Sequence, residues 1–212
     1  AYDIGLGIPA EPLFRSRSAS APPYCQTMLN LKQINKDWTL FLDRDGVINH
    51  DKDKSYIFSF DEFRFYDGVL DALKFLSSIF SRIVVVTNQR GVGRGLMTEE
   101  TLIDIHHRMQ EQIEKAGGRI DAIFYCTANN NEDPNRKPNP GMFYQAKAKF
   151  PEITPGHSLI VGNNISDMEF GRNAGIHTVF VKTTQPHIAL PHPAIDLAFD
   201  SLPDFAKALR EA

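Results

Sequence analysis

Only two cysteines, Cys25 and Cys126, occur in 212 residues. They are too few for a disulfide framework and too far apart for a metal knuckle. No apolar run approaches the roughly 20 residues of a membrane helix, and the opening residues lack the basic-then-apolar layout of a signal peptide. The expectation is a soluble, cytoplasmic chain with no membrane partner. A basic excess is also missing, since 23 Lys and Arg face 26 Asp and Glu for a net charge of −3. A nucleic-acid backbone needs a positive field, so the overall charge speaks against nucleic acid as a partner. There is no internal repeat, and nothing sets an oligomeric state. What is present is ordinary globular material, 42% hydrophobic and 23% charged, in a length that suits one domain with a sizeable core.

Residues 1–36 mix Pro, Ser, Ala and Arg without a helical or strand period and read as an extension, leaving 37–212 as the domain. From Trp38 onward strands alternate with helices. "WTLFLD", "RIVVVTN", "DAIFYC", "SLIVG" and "HTVFVK" are apolar strand runs. Between and after them "DGVLDALKFLSSIF", "TEETLIDIHHRMQEQIEKAGG", "GMFYQAKAKF", "SDMEFGRNAG" and "LPDFAKALREA" read as helices, the second opening at Thr98 and stopping at Gly117 and Gly118. Parallel strands need crossovers, so this alternation predicts an α/β fold with a central parallel sheet and helices on both faces. Ligands in such sheets bind beyond the carboxyl ends of the strands, which directs attention to the strand tips.

The first strand ends "FLDRDGVIN". Positions i and i+2 of extended chain face one side, so Asp43 and Asp45 can converge, and Gly46 permits a sharp turn. Paired carboxylates are costly unless a cation or a shared proton relieves them, and Mg²⁺ with a bound phosphate would do so. The alternative is that Asp43 caps a helix and Asp45 sits in a turn. The second strand ends "VVVTNQRGVGRG": Thr87 and Asn88 offer a hydroxyl and an amide, and Gly91, Gly93 and Gly95 could aim backbone N–H groups at an anion. In "NRKPNPGMF", Arg136 and Lys137 are cations beside prolines, and "VGNNISDM" places Asp167 near a helix start.

These four stretches, in this order, resemble the motifs of the haloacid dehalogenase-like phosphatases, within them the cap-less branch that acts on heptose bisphosphate or histidinol phosphate. The likeness spans about residues 38–185. It implies a Rossmann-like three-layer sandwich without a large cap domain, and a Mg²⁺-dependent phosphatase for a small phosphorylated metabolite, foremost D-glycero-D-manno-heptose 1,7-bisphosphate losing its 7-phosphate. Histidinol phosphate, a polynucleotide 3′-phosphate, and a catalytically attenuated phosphosugar binder are the alternatives. The resemblance makes Asp43 the nucleophile that forms an aspartyl-phosphate and Asp45 the acid and base. Thr87 and Lys137 join the catalytic set, with Asn88, Gln89, Arg94, Arg136, His50 and Asp51 as substrate contacts. Asp43, Asp45 through its carbonyl, Asn163 and Asp167 form the metal set.

Two departures from that pattern stand out. The related enzymes carry a zinc loop of cysteines and a histidine before the lysine motif, whereas "YCTANNNEDPNRKP" keeps only Cys126, so no zinc is expected. Asn163 stands where the family has an aspartate, which predicts a working but weaker metal site. His106 and His107, adjacent on a helix, diverge and are not expected to share a metal. His187 and His192 read as surface loop, and the aromatics of "YIFSFDEFRFYDG" as packing.

Overall fold

The apolar runs become the strands of one parallel sheet because both of their faces are covered. In the computed structural model, which describes residues 28–52 and 55–212, the strands are β1 (Thr39–Leu42), β2 (Arg82–Asn88), β3 (Ala122–Cys126), β4 (Ser158–Gly162), β5 (His177–Val181) and β6 (Leu197–Phe199). Their order is β3-β2-β1-β4-β5-β6, and every pairing is parallel. Successive side chains alternate between two cores. Leu40, Leu42, Ile83, Val85, Leu159 and Val161 face one, while Phe41, Val84, Val86 and Ile160 face the other. This period of two on a sheet buried on both sides is why the runs read as continuously apolar.

Helices α1 (Val69–Ile79), α3 (Glu99–Lys115) and α6 (Leu202–Glu211) supply the first core, and α4 (Gly141–Lys149) and α5 (Ile165–Ala174) the second. The result is the expected three-layer α/β sandwich. Among the described residues no separate cap domain interrupts it. No helix of these residues is long and apolar enough to cross a membrane. Of the expected extension, residues 1–27 lie outside the described residues, while Leu29 and Ile34 join the first core.

Among the strands and α-helices, one of each escaped the sequence reading. β6 is only three half-buried residues at the sheet edge. The glycine-rich stretch contains a helical turn, α2 (Arg90–Gly93). Its glycines answer to packing: a Cβ on Gly91 would lie 3.1 Å from the Tyr56 ring, and one on Gly93 would lie 1.9 Å from the Thr127 carbonyl. The crossover leaving β1 runs toward β2 and the one leaving β4 runs the opposite way toward β5, so the crevice beyond the ends of β1 and β4 is the expected ligand position.

Candidate active site

A cavity of about 420 Å³ opens at that crevice. Asp43, Asp45, Asp51, Thr87, Asn88, Gln89, Arg94, Arg136, Lys137, Asn163 and Asp167 all line it. His50 does not line it; its ring packs on Tyr66 with centroids 3.9 Å apart. Lys52, Tyr56 and Asn164 line the cavity without having been singled out in the sequence.

Lys137 is the electrostatic centre. Its buried ammonium lies 2.9 Å from Asp43 Oδ1 and 2.7 Å from Asp167 Oδ1. Burial works against that charge, but Asp167 and Asp43 outweigh it and raise the lysine pKa. Asn88 fixes the lysine backbone from both sides, donating from Nδ2 to the Lys137 carbonyl (3.1 Å) and accepting at Oδ1 from the Lys137 N–H (3.0 Å). Burial, with the charges of Asp167 and Asp45, pushes Asp43 up to about 7 against the pull of Lys137. One ammonium therefore leaves this corner short of positive charge.

The late position of Asp167 follows from helix capping. Asn164 is the N-cap of α5, and Asp167 at the third helical position completes a capping box. Asp167 Oδ2 accepts from the N–H groups of Asn163 (3.1 Å) and Asn164 (3.0 Å). Asn163 donates from Nδ2 to Thr184 Oγ1 at 2.7 Å, while its buried Oδ1 has no partner. Gly46, at φ 83°, must be glycine here, because a Cβ would sit 2.1 Å from Asn163 Nδ2.

Asp45 is held differently. Arg44 Nη2 donates to both of its oxygens at 2.9 Å, Asn49 Nδ2 donates to Oδ1 at 2.8 Å, and Gln89 Nε2 donates to Oδ2 at 2.8 Å. Burial raises this carboxyl, but the Arg44 charge and the hydrogen bonds outweigh it and leave its pKa lowered. Arg44 also donates from Nη2 to Gln89 Oε1 at 3.2 Å, and its Nη1 lies 3.1 Å from His106 Nε2. Burial and the neighbouring guanidinium push His106 down to about 3, so its ring is neutral. Exposed His107 points away toward Glu111, as adjacency on a helix demands.

A second charge pole lies in the same cavity. Burial and the charges of Arg90 and Arg94 lower the Arg136 pKa, so this wall gathers mutually repelling cations that an anion would relieve. Arg136 is braced by donating to the Ala128 carbonyl at 3.3 Å. The loop after β3 is tied by amides: Asn129 donates to the Gly93 carbonyl at 2.6 Å, and Asn139 to the carbonyls of Asp133 (2.8 Å) and Asn131 (3.1 Å). Burial keeps the Cys126 thiol protonated by raising its pKa.

A cation fits the first corner. Among the described residues no three His, Cys, Asp or Glu side chains converge for a metal, because Asp45 turns into Arg44. Asp43, Asp167 and the unpartnered Asn163 Oδ1 remain, an all-oxygen set suited to Mg²⁺ completed by phosphate and water.

A hydrolase-like family model, described as "HAD-hyrolase-like", matches residues 134–205. The D-glycero-alpha-D-manno-heptose-1,7-bisphosphate 7-phosphatase of Mycobacterium tuberculosis is 36% identical over 85% of this chain and 96% of its own length. The D-glycero-beta-D-manno-heptose-1,7-bisphosphate 7-phosphatase of Yersinia pestis is 37% identical over 81% and 94%. The crystal structure of the D,D-heptose 1,7-bisphosphate phosphatase from B. bronchiseptica, complexed with magnesium and phosphate, superposes with a TM-score of 0.73 at 31% identity, covering 82% of this chain and 99% of that one. A parallel sheet with its acids, lysine and capped aspartate gathered at the β1 crevice, together with this breadth of similarity, establishes that the chain belongs to the haloacid dehalogenase-like phosphatases, phosphoric monoester hydrolases.

Proposed function

We propose that this enzyme removes the 7-phosphate of D-glycero-D-manno-heptose 1,7-bisphosphate in a Mg²⁺-dependent reaction. The observation that carries this reading is that one cavity holds two places for a phosphate: the corner of Lys137 with Asp43 and Asp167, once Mg²⁺ completes its positive charge, and the cationic wall of Arg136 with Arg94. A bisphosphate supplies an anion to each.

In this reading an Asp43 oxygen attacks phosphorus and the bond from phosphorus to the sugar oxygen breaks, leaving an aspartyl-phosphate. Asp45 gives its proton to the departing alcohol and takes one back from the water that attacks the aspartyl-phosphate, releasing inorganic phosphate. The resting site holds Asp45 ionised, which suits the second step. The incoming dianionic phosphate raises its proton affinity for the first. Thr87 stands beside the phosphoryl group, and its Oγ1 already accepts from Gln89 Nε2 at 2.9 Å. Lys137 stabilises charge shared between nucleophile and phosphate. Asp43, the Asp45 carbonyl, Asn163 and Asp167 would hold Mg²⁺, which supplies further positive charge at the phosphoryl oxygens.

Phosphate release from heptose bisphosphate, histidinol phosphate and a 3′-phosphorylated oligonucleotide across a Mg²⁺ titration tests the proposal. Heptose bisphosphate should give the highest kcat/KM and show a metal requirement. A faster rate with either other substrate would displace the sugar, and no turnover at saturating Mg²⁺ would leave a phosphosugar binder.

A further inference from the structure

The buried stripe of α3 consists of Leu102, Ile105, Met109 and Ile113, and His106 interrupts it. Nothing in the chemistry above uses this imidazole, yet its Nε2 lies 3.1 Å from Arg44 Nη1. A guanidinium carries donors only, so Nε2 is the acceptor and the ring proton sits on Nδ1. Arg44 is 1% exposed, so solvent is a poor substitute for that acceptor. The other edge of the same planar group, Nη2 and Nε, meets Asp45 Oδ1 at 2.9 and 3.3 Å. A rigid plane held at both edges has one orientation.

From this geometry we infer that His106 is a positioning residue: by holding the far edge of Arg44 it fixes the Asp45 carboxylate where the leaving alcohol receives its proton. The inference rests on the phosphatase reading above. A purely structural histidine would contribute to stability alone. A positioning residue for an acid has a sharper signature, because only a poor leaving group needs protonation. A sugar alkoxide needs the proton from Asp45 as the bond from phosphorus to oxygen breaks, whereas 4-nitrophenolate departs with the electron pair unassisted.

The test measures kcat/KM, which covers the steps up to loss of the alcohol, for heptose bisphosphate and 4-nitrophenyl phosphate at saturating Mg²⁺. The proteins are wild type, His106→Leu and His106→Gln, with thermal melting to establish that each is folded. His106→Leu should lower kcat/KM about tenfold or more for the sugar phosphate and less than about twofold for the aryl phosphate. His106→Gln, whose Oε1 can accept from Arg44, should recover the sugar phosphate to within about threefold of wild type. His106→Asn, too short to reach Arg44, replaces the leucine variant if that one does not fold. Equal losses with both substrates, or no loss with either, overturn the inference while leaving the phosphatase reading intact. An inactive wild type overturns both.

Discussion

Acid should weaken this fold through His106. The perturbation is a fall in pH from 8 to 5. In the unfolded chain the imidazole has its ordinary pKa of about 6.5, whereas in the fold burial and the fixed charge of Arg44 push it down to about 3. Arg44 cannot give up its own proton, so a protonated His106 would place two cations 3.1 Å apart in the core. A depressed pKa of this kind gives its full stability above about pH 6.5 and loses it as pH falls through the window toward 3. At pH 5 the unfolded ring is protonated and the folded ring is not. The loss is about 1.4 kcal/mol for each unit below 6.5, or about 2 kcal/mol in all. Urea denaturation at several pH values, on wild type and His106→Gln, isolates this. Asp43, raised to about 7 by burial and neighbouring carboxylates, works the other way and favours the fold as pH falls. It is present in both proteins and cancels in their difference. The gap in unfolding free energy between wild type and variant should move about 2 kcal/mol in the variant's favour between pH 8 and 5. Parallel pH curves would refute a neutral His106 against a charged Arg44.

Three further outcomes follow from the site. Lys137→Met leaves Asp43 and Asp167 facing each other without their shared ammonium, and steady-state assays should show kcat reduced about 100- to 1,000-fold. Asn163→Asp gives the corner a third negative side chain, and the Thr184 hydroxyl can rotate to donate to it. The Mg²⁺ concentration for half-maximal rate should fall about tenfold, and an unchanged value would remove Asn163 from the ligand set. Arg136→Ala should raise KM for the bisphosphate about tenfold while leaving KM for 4-nitrophenyl phosphate within about twofold, because only the bisphosphate carries a second anion.

The sheet was legible because parallel strands buried on both faces are continuously apolar, and five such runs fall at the observed strands. β6 was not, since Leu197, Ala198 and Phe199 are too short and too exposed a run to stand out from a turn. The helical turn at Arg90–Gly93 was hidden by its own glycines, which look like loop until the Tyr56 ring and Thr127 carbonyl are seen pressing on them. Within the site, residues adjacent to strand tips could be placed because a parallel sheet brings its tips together. Arg44 and His106 could not be paired, because their contact joins positions 62 residues apart through the rotation of α3. One signal existed: a histidine on an otherwise apolar helical stripe needs a buried partner. His50, expected at the substrate, is drawn onto Tyr66 instead.

The Arg44 network also bears on how this enzyme can vary. Arg44 and Asp45 come from the loop after β1, Gln89 from the end of β2 and His106 from α3, yet they share one set of hydrogen bonds. Replacing one alone by a side chain that cannot fill its hydrogen-bonding role strands a buried donor or charge, so the residue best tolerated at each position depends on the other three. The quartet is thus a single energetic unit. A chimera that grafts this nucleophile loop onto a relative's scaffold should keep its full rate with the sugar phosphate only if an acceptor for Arg44 on α3 and the glutamine after β2 travel with it.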